Sequence, residues 1–591
     1  MPLMGALYVG ASGLQTSQNA LNTTAHNLAN IDTTGYTRQQ VLQGNRHLDN
    51  IGESYNNKLQ VGLGVAYTDV RAVRDEFLDL QYRKESGRSA YYSTNYEVIQ
   101  EINTLFGETE GAEFQTSLQN LRDALENLAK SPSDGTVQAA LVNTASQFLD
   151  RANAVYTDLS TYQQNLNQQI IDKVDKINEY ANQIAELNYK ISSYEVAGIE
   201  SPNDMRDARD QLLDELSSYG RIDYKEDLQG RVEVYFEGVN LVKHSDTNPM
   251  AAVVLEGDEA TGFVTPVWSM YDNQKVFNTS QAINADIGSD SGSLKALYFT
   301  RGYKNGTWRD VQEGVYSGDK ANYNGGKITE DLKDKDGNVI EQAQDHTSKY
   351  GTYDEFVGPA GFSISEIQAE FDDLIHNIVT AINDLLTENN SNGSPELFQR
   401  TTIHKIDSNS GELVLVTSDQ YKDFMNDSSR IGKTCEWIED MEKDDLSTYT
   451  TANIMINKDL LRQPSLLSDV GNGGFVKDDM TTDYEKAKKL ADLFSTDKTN
   501  LNPDTITELT YENFYIDLVN QYADRGNTNK SLAESQEASV LAIENGRQQV
   551  VGVSDNEEMT KLIRFQNAYN ASSRYINTVN SMLDTLLTSL T

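Results

Sequence analysis

Between Thr136 and Ala197 the chain carries neither glycine nor proline, the residues that most readily break a helix. Within that stretch Leu159, Tyr162, Leu166, Ile170, Val174, Ile177, Ala181, Ile184, Leu187 and Ile191 recur at steps of three and four. The spacing predicts one amphipathic helix, roughly 90 Å long at the usual rise per residue. Such a rod is longer than an ordinary globular domain uses. Gly198 and Pro202 close it, and 203–218 reads as a shorter return helix.

The flanking periodicity extends this helical region. Helical spacing resumes near Asp75 and takes in Tyr96, Ile99, Ile102 and Leu105. Another helix carries Phe114, Leu118, Leu121, Leu125 and Leu128 and stops at Ser131-Pro132, because proline disfavours helix in the residue before it. From Ile222 the period changes to two, with Val232, Val234 and Phe236 alternating with polar residues. Ser293–Thr300 reads either as a strand or as the start of a helix. Residues 302–358 hold nine of the 39 glycines, twice their share, and read as a loop-rich, solvent-facing insertion. Helix returns at 364–386 and 484–494, and the chain is helical from about Asn513 to its end, with interruptions expected near Gly546 and Gly552.

A chain of 591 residues exceeds what one core supports, so two to four domains are expected. A mean hydropathy of -0.57 favours thin layers over one thick globule. The formal net charge of -41 repels nucleic acid and anionic membranes. The single cysteine, Cys435, rules out an internal disulfide. No run approaches the length of a membrane span. The N-terminus lacks Lys or Arg before Arg38, so it reads as mature structure and not as a cleavable signal.

Both ends of the chain carry narrow apolar stripes. Leu7, Leu14, Leu21 and Leu28 stand seven apart, and Leu562, Phe565, Tyr569, Ile576, Val579, Leu583, Leu586 and Leu590 form a seam of three and four. Each helix is too thin to bury its stripe alone, so it needs the other chain end or a neighbouring subunit. Gly5, Gly10, Ala11, Ser12, Gly13 and Ser17 are small enough for close helix approach. The first helix then breaks in a dense polar cluster, Asn30 to Tyr36, including Thr34 and Gly35. The chain is expected to stop near Asn30, turn through Gly35 and present Tyr36 for packing.

Recognisable chemistry is sparse. The closest two of the six histidines are His26 and His47, 21 residues apart, so no short metal-binding pair exists. Asp334-Lys335-Asp336-Gly337 has Leu332 and Ala343 where a calcium loop needs acids. No catalytic, cofactor or metal residue is assigned, and the chain is expected not to be an enzyme.

Leu28-Ala29-Asn30-Ile31-Asp32-Thr33-Thr34-Gly35-Tyr36 resembles the A-N-x-x-T-x-G-Y signature of bacterial flagellar axial proteins. Gly552-Val553-Ser554, Glu557-Glu558-Met559 and Leu562 to Ser572 resemble the C-terminal motif of the same family. The long helix straight after a helical N-terminal region, and the chain length, resemble the branch of first hook-associated proteins at the hook–filament junction. The resemblance implies an α+β, multidomain fold with a terminal α-helical coiled coil (1–60 and 535–591). A long-helix bundle domain would follow (61–221, 360–392 and 484–534), with an inserted β/loop-rich outer region (222–359 and 393–483). It implies a structural adaptor secreted to the extracellular flagellum by type III export and needing no cofactor. Its partners would be further copies in a ring, the hook protein, hook-associated protein 3 and an export chaperone. Two alternatives stay open: the hook protein or another rod or hook component, and a surface adhesin acting through the outer region.

Overall fold

The computed structural model describes residues 2–46, 48–54, 57–106, 114–196, 202–255, 262–279, 281–311, 356–387, 396–406, 413–416, 447–468, 480–496 and 508–590, with short stretches at 323–324, 327–328, 332–333, 339–341, 433–435, 438–439, 475–477 and 499. Most of the expected insertion at 302–358 lies outside the described residues. None of the described helices is long and apolar enough to cross a membrane.

The chain opens with α1 (Pro2–Ala29) and four strands, β1 (Gln39–Asn45), β2 (Leu48–Ser54), β3 (Asn57–Gly62) and β4 (Val65–Ala72). β1 pairs with β4 and β2 with β3, all antiparallel, as consecutive stretches of one ribbon. Four helices follow: α2 (Glu76–Phe106), α3 (Phe114–Lys130), α4 (Gly135–Val196) and α5 (Asn203–Ser217). α4 is unbroken over 62 residues, as its freedom from glycine and proline predicts.

Two small antiparallel sheets lie along α4. The first has the order β5-β6-β7-β8 (Ile222–Glu226, Val232–Phe236, Val239–Lys243, Asp246–Thr247). The second joins β9 (Met250–Val254), β10 (Val264–Trp268) and β11 (Gln274–Lys275). Asparagines on the rod stitch the strands to it. Asn178 Nδ2 donates to Met250 O at 2.9 Å and its Oδ1 accepts from Met250 N at 2.9 Å. Asn188 treats Val232 the same way, at 2.8 and 3.0 Å. A side-chain amide offers the donor–acceptor pair of a peptide group, so each stands in for a missing neighbouring strand.

Ser293–Arg301 forms α6. All nine of its residues are buried, which is why its sequence shows no period. α7 (Ile364–Thr387), α8 (Tyr484–Asp492), α9 (Tyr511–Val551) and α10 (Asp555–Leu590) complete the helices used below. α9 runs straight through Gly546, contrary to the expected interruption, and the break comes only at 552–554. A glycine inside a helix costs about 1 kcal/mol, and here Leu78 of α2 packs beside it. The expected border at 535 falls inside this continuous helix.

α2 and α9 are antiparallel: Ile99 packs on Gly526 and Leu78 on Gly546. One large apolar core joins α2, α3, α4, α6, α7 and the first half of α9. Within it Asp372 of α7 is fully buried and accepts hydrogen bonds from Trp308 N, Thr451 N and Thr451 Oγ1. Burial pushes its carboxyl up to about 6 despite those donors. The folded chain therefore holds this proton more tightly than the unfolded chain does. The stability this group contributes is full below its unfolded value and is lost as pH rises through about 6. Thermal unfolding followed by circular dichroism should show the midpoint falling between about pH 4 and pH 6 and levelling off above. Asp372→Asn should flatten that slope, by roughly 2–3 kcal/mol at most; an equally steep slope in the variant would refute the assignment.

Candidate functional site

The two chain ends lie side by side as an antiparallel helix pair. A Cβ added at Gly10 would sit 2.7 Å from Ile576 Cγ1, and one at Gly13 would sit 2.9 Å from Ser572 Oγ. The glycines thus bring α1 into close contact with α10. On its other side α1 meets the ribbon: Ser12 Oγ accepts from Val65 N at 3.2 Å and donates to Val9 O at 2.8 Å. Gly64, at a φ of 95°, lets the strand pass over Ser12.

The most buried residues of α1 are accordingly small or polar: Gly10, Ser12, Thr16, Ser17, Ala20, Thr24 and Asn27. Leu7, Leu14, Leu21 and Leu28 are half-buried on the shoulders of this ridge. On α10, Leu562, Phe565, Tyr569, Ile576 and Leu583 are half-buried and Val579 is buried. Leu586 is 45% exposed, and the Leu590 side chain lies outside the described residues. Tyr8, Met559, Ile563, Tyr575, Met582 and Leu587 are also exposed around the pair.

The signature loop is tied down by a residue just before it. Asn27 is buried and uses all its hydrogen-bonding capacity. Its Nδ2 donates to Gln39 O at 2.9 Å and to Glu558 Oε2 at 3.1 Å. Its Oδ1 accepts from Tyr36 Oη at 2.7 Å and from Gln39 N at 2.9 Å. Since the Tyr36 proton goes to Asn27, the His26 Nδ1 that lies 3.0 Å from Tyr36 Oη must carry a hydrogen. Burial, with Asp204, Asp207 and Glu558 nearby, pushes the Tyr36 hydroxyl far up, so it stays a donor. Glu558 is buried too, and Lys561 Nζ meets its other oxygen at 2.6 Å.

Asn30 ends the helix as expected. Its Nδ2 donates to His26 O at 3.0 Å, and Thr33 Oγ1 donates to its Oδ1 at 3.2 Å. Gly35 turns the chain with a φ of 81°. Thr34 and Gly35 are exposed and Tyr36 is half-buried. The stripe residues run along the two helices away from the interlock, while Asn27 and Glu558, which complete it, are not among the residues the stripes point to. Both stand within or beside the two quoted motifs. The available signal was position: Asn27 is seven residues after Ala20, on the face where a polar side chain needs a partner.

A second polar cluster anchors this layer to the helices behind it. Thr37 N donates to Asp207 Oδ2 at 3.0 Å, and Arg38 N donates to Val551 O at 3.0 Å. Behind them Arg74 pairs with Asp210, Arg83 Nε meets Asp214 at 2.7 Å, and Arg547 Nη2 meets Asp214 at 2.8 Å. This arrangement holds helices together. Among the described residues no group of three or more His, Cys, Asp or Glu is placed to hold a metal ion.

Asn27→Ala removes four hydrogen bonds and leaves Glu558 one partner short. The loss to the terminal layer should be about 2–4 kcal/mol. Hydrogen exchange should accelerate in peptides covering 27–39 and 552–562 and stay unchanged in α4. Equal protection in both proteins would show that the interlock carries no load.

Three family models match the chain. Residues 99–315 match the helical domain of flagellar hook-associated protein FlgK, 7–37 the flagella basal body rod protein, and 544–589 the C-terminal region of the flagellar basal body rod FlgEFG proteins. The chain is 25% identical to flagellar hook-associated protein 1 of Bacillus subtilis, over 97% of this chain and 96% of that protein. It is 26% identical to the Salmonella typhimurium protein of the same name, over 98% of each. The solved structure of the flagellar hook junction protein FlgK from Burkholderia pseudomallei superimposes with a TM-score of 0.50 at 14% identity, covering 80% of this chain and all of that one. With the end motifs interlocked and the long helix between them, the chain is similar over nearly its full length to flagellar hook-associated protein 1.

Proposed function

We propose that this protein is a structural adaptor that joins the flagellar hook to the filament by packing its paired termini into the axial assembly. The observation that carries this is the interlocked α1–α10 pair, with both end motifs in one layer and near full-length similarity to hook-associated protein 1. Its half-buried leucines and the exposed Tyr8, Met559, Ile563, Tyr575 and Met582 leave apolar surface for neighbouring subunits. Covering one such side chain is worth roughly 1.5–3 kcal/mol, so a few contacts repeated around a ring give a stable joint.

The same reading supplies the partners. Copies of this chain would form the ring, with the hook protein below and hook-associated protein 3 above. An export chaperone would hold the C-terminal helical region before type III secretion to the cell exterior. The long matched helical domain favours this over the hook protein, and no described feature favours an adhesin.

Deleting the gene should leave cells with hooks and no filaments, scored by electron microscopy. Cells without hooks would point to the hook protein, and intact filaments would remove the adaptor reading. Leu21→Asp, on the half-buried shoulder, should keep the helicity of the purified chain and fail to restore filaments. Gly10→Leu, which collides with Ile576, should fail too and also loosen α1 in hydrogen exchange. Restoration by both variants would show that the terminal pair does not mediate incorporation.

A further inference from the structure

Leu228 is 99% exposed, and the turn that carries it, between β5 and β6, is built to hold still. Asp227 N donates to Arg231 O at 2.9 Å, and Gly230 N donates to Asp227 O at 3.1 Å. The Asp227 carboxylate accepts from Gln229 N and Arg231 N, each at 2.9 Å, and from Arg231 Nε at 2.8 Å. Gly230 turns with a φ of 73°, and its carbonyl accepts from Arg209 Nη1 of α5 at 2.6 Å. A side chain at Gly230 would collide with Glu195 at the end of α4. Leu228 thus stands in water on a fixed tip, where it adds nothing to the fold.

A second exposed apolar spot lies across α5. Phe77 is 66% and Leu80 48% exposed, three residues apart at the start of α2, so they share a face. The two spots stand at the same level of the body. On the side of the turn, Arg206 pairs with Glu195 and Glu226, and Arg209 pairs with Glu226. Asp207 and Asp210, from the same stretch of α5, face Arg74 instead, in the link from β4 into α2. α5 therefore separates a knob on one flank from an apolar pair on another.

We propose that Leu228 of one copy packs against Phe77 and Leu80 of a neighbouring copy, so that subunits touch through their bodies as well as through their terminal helices. Charge selects a second copy as the partner. A net charge of -41 makes copies repel wherever their acids are unmatched. At the knob, Glu195, Glu226 and Asp227 all meet arginine, and Lys225 and Glu226 stand exposed beside the tip. Beside the apolar pair, Glu76 and Lys84 are exposed. Each rim offers one charge of each sign, so the two rims can pair and need not repel. The two spots differ, so the contact runs head to tail. Repeated around an axis it closes a ring or extends a helix, whereas one spot meeting itself stops at a dimer. The inference rests on the adaptor reading, in which copies surround an axis.

Crosslinking in isolated flagella tests it, with the full chain carrying Leu80→Cys and Leu228→Cys supplied to cells that lack the gene. Cys435 is buried and stays unreactive. A flexible bismaleimide should give species at twice the mass of one chain and above, and neither single variant should. Dimers from Leu228→Cys alone, a bridge confined to one chain, a bridge to another protein, or no bridge at all overturns the contact. Leu228→Asp should leave the thermal midpoint of the purified chain unchanged, because the side chain stands in water, and should remove most filaments. Leu228→Met should keep them. Equal filament numbers in those two variants overturn the contact. Should the doubly substituted chain yield no filaments, the Leu228→Asp and Leu228→Met counts decide. The adaptor reading fails on a different observation, filaments on cells lacking the gene.

Discussion

The antiparallel contact of α2 with α9 is the constraint from which the terminal layer follows. Ile99 against Gly526 and Leu78 against Gly546 fix one register along the pair. Arg547 locks its end, with Nε 3.0 Å from Asp79 and Nη2 2.8 Å from Asp214. That register sets the exit at 73–75 beside the exit at 552–554. Asn27 and Glu558 are 531 positions apart in sequence, and joining two free ends over such a span would cost considerable chain entropy. The folded body removes most of that separation before the termini meet. The α1–α10 pair can therefore be built from weak, polar and small-residue contacts that would not hold two free peptides together.

The chain divides its cohesion accordingly. The body relies on apolar burial, with α4 as a rod and asparagines stitching strand edges to it. The terminal layer and its joint rely on hydrogen bonds and ion pairs. In a chain with a net charge of -41, the paired arginines Arg74, Arg83 and Arg547 sit where acids from α2, α5 and α9 converge. Removing any one would leave like charges facing each other at low dielectric. A dense cluster of paired charge thus sits where the two layers meet.

Much of this was legible in the residues, for physical reasons that differ by element. α4 and the Ser131-Pro132 stop could be read because glycine and proline act locally on the backbone. The signature loop could be read because Asn30 and Gly35 are chemically specific to a helix end. α6 could not, since burial on every side erases periodicity. Gly546 misled because a helix-breaking residue was tolerated by a neighbour that sequence does not show. The stripes pointed to the right helices but not to the innermost face, because leucine spacing marks apolar surface and says nothing about which part of it is covered. Asp207 was silent, its partner Thr37 lying more than a hundred residues away in sequence.

The innermost face of α1 is small, and its leucines stand to the side. Glycine, serine and alanine let two helices approach closely, but they bury little apolar area, so an isolated α1–α10 pair is weakly held. Leucines at the contact would have made a stronger dimer and spent the apolar stripe within one chain. By meeting through a thin ridge, the two helices leave Leu7, Leu14, Leu21 and Leu28 only half covered. The specificity of the intrachain pair then comes from Asn27 and Glu558, whose buried polar groups tolerate one register only. Its remaining apolar surface stays available for neighbours. A subunit that must recognise itself first and its lattice second can use this separation, with hydrogen bonds setting the internal register and hydrophobic burial completing the assembly.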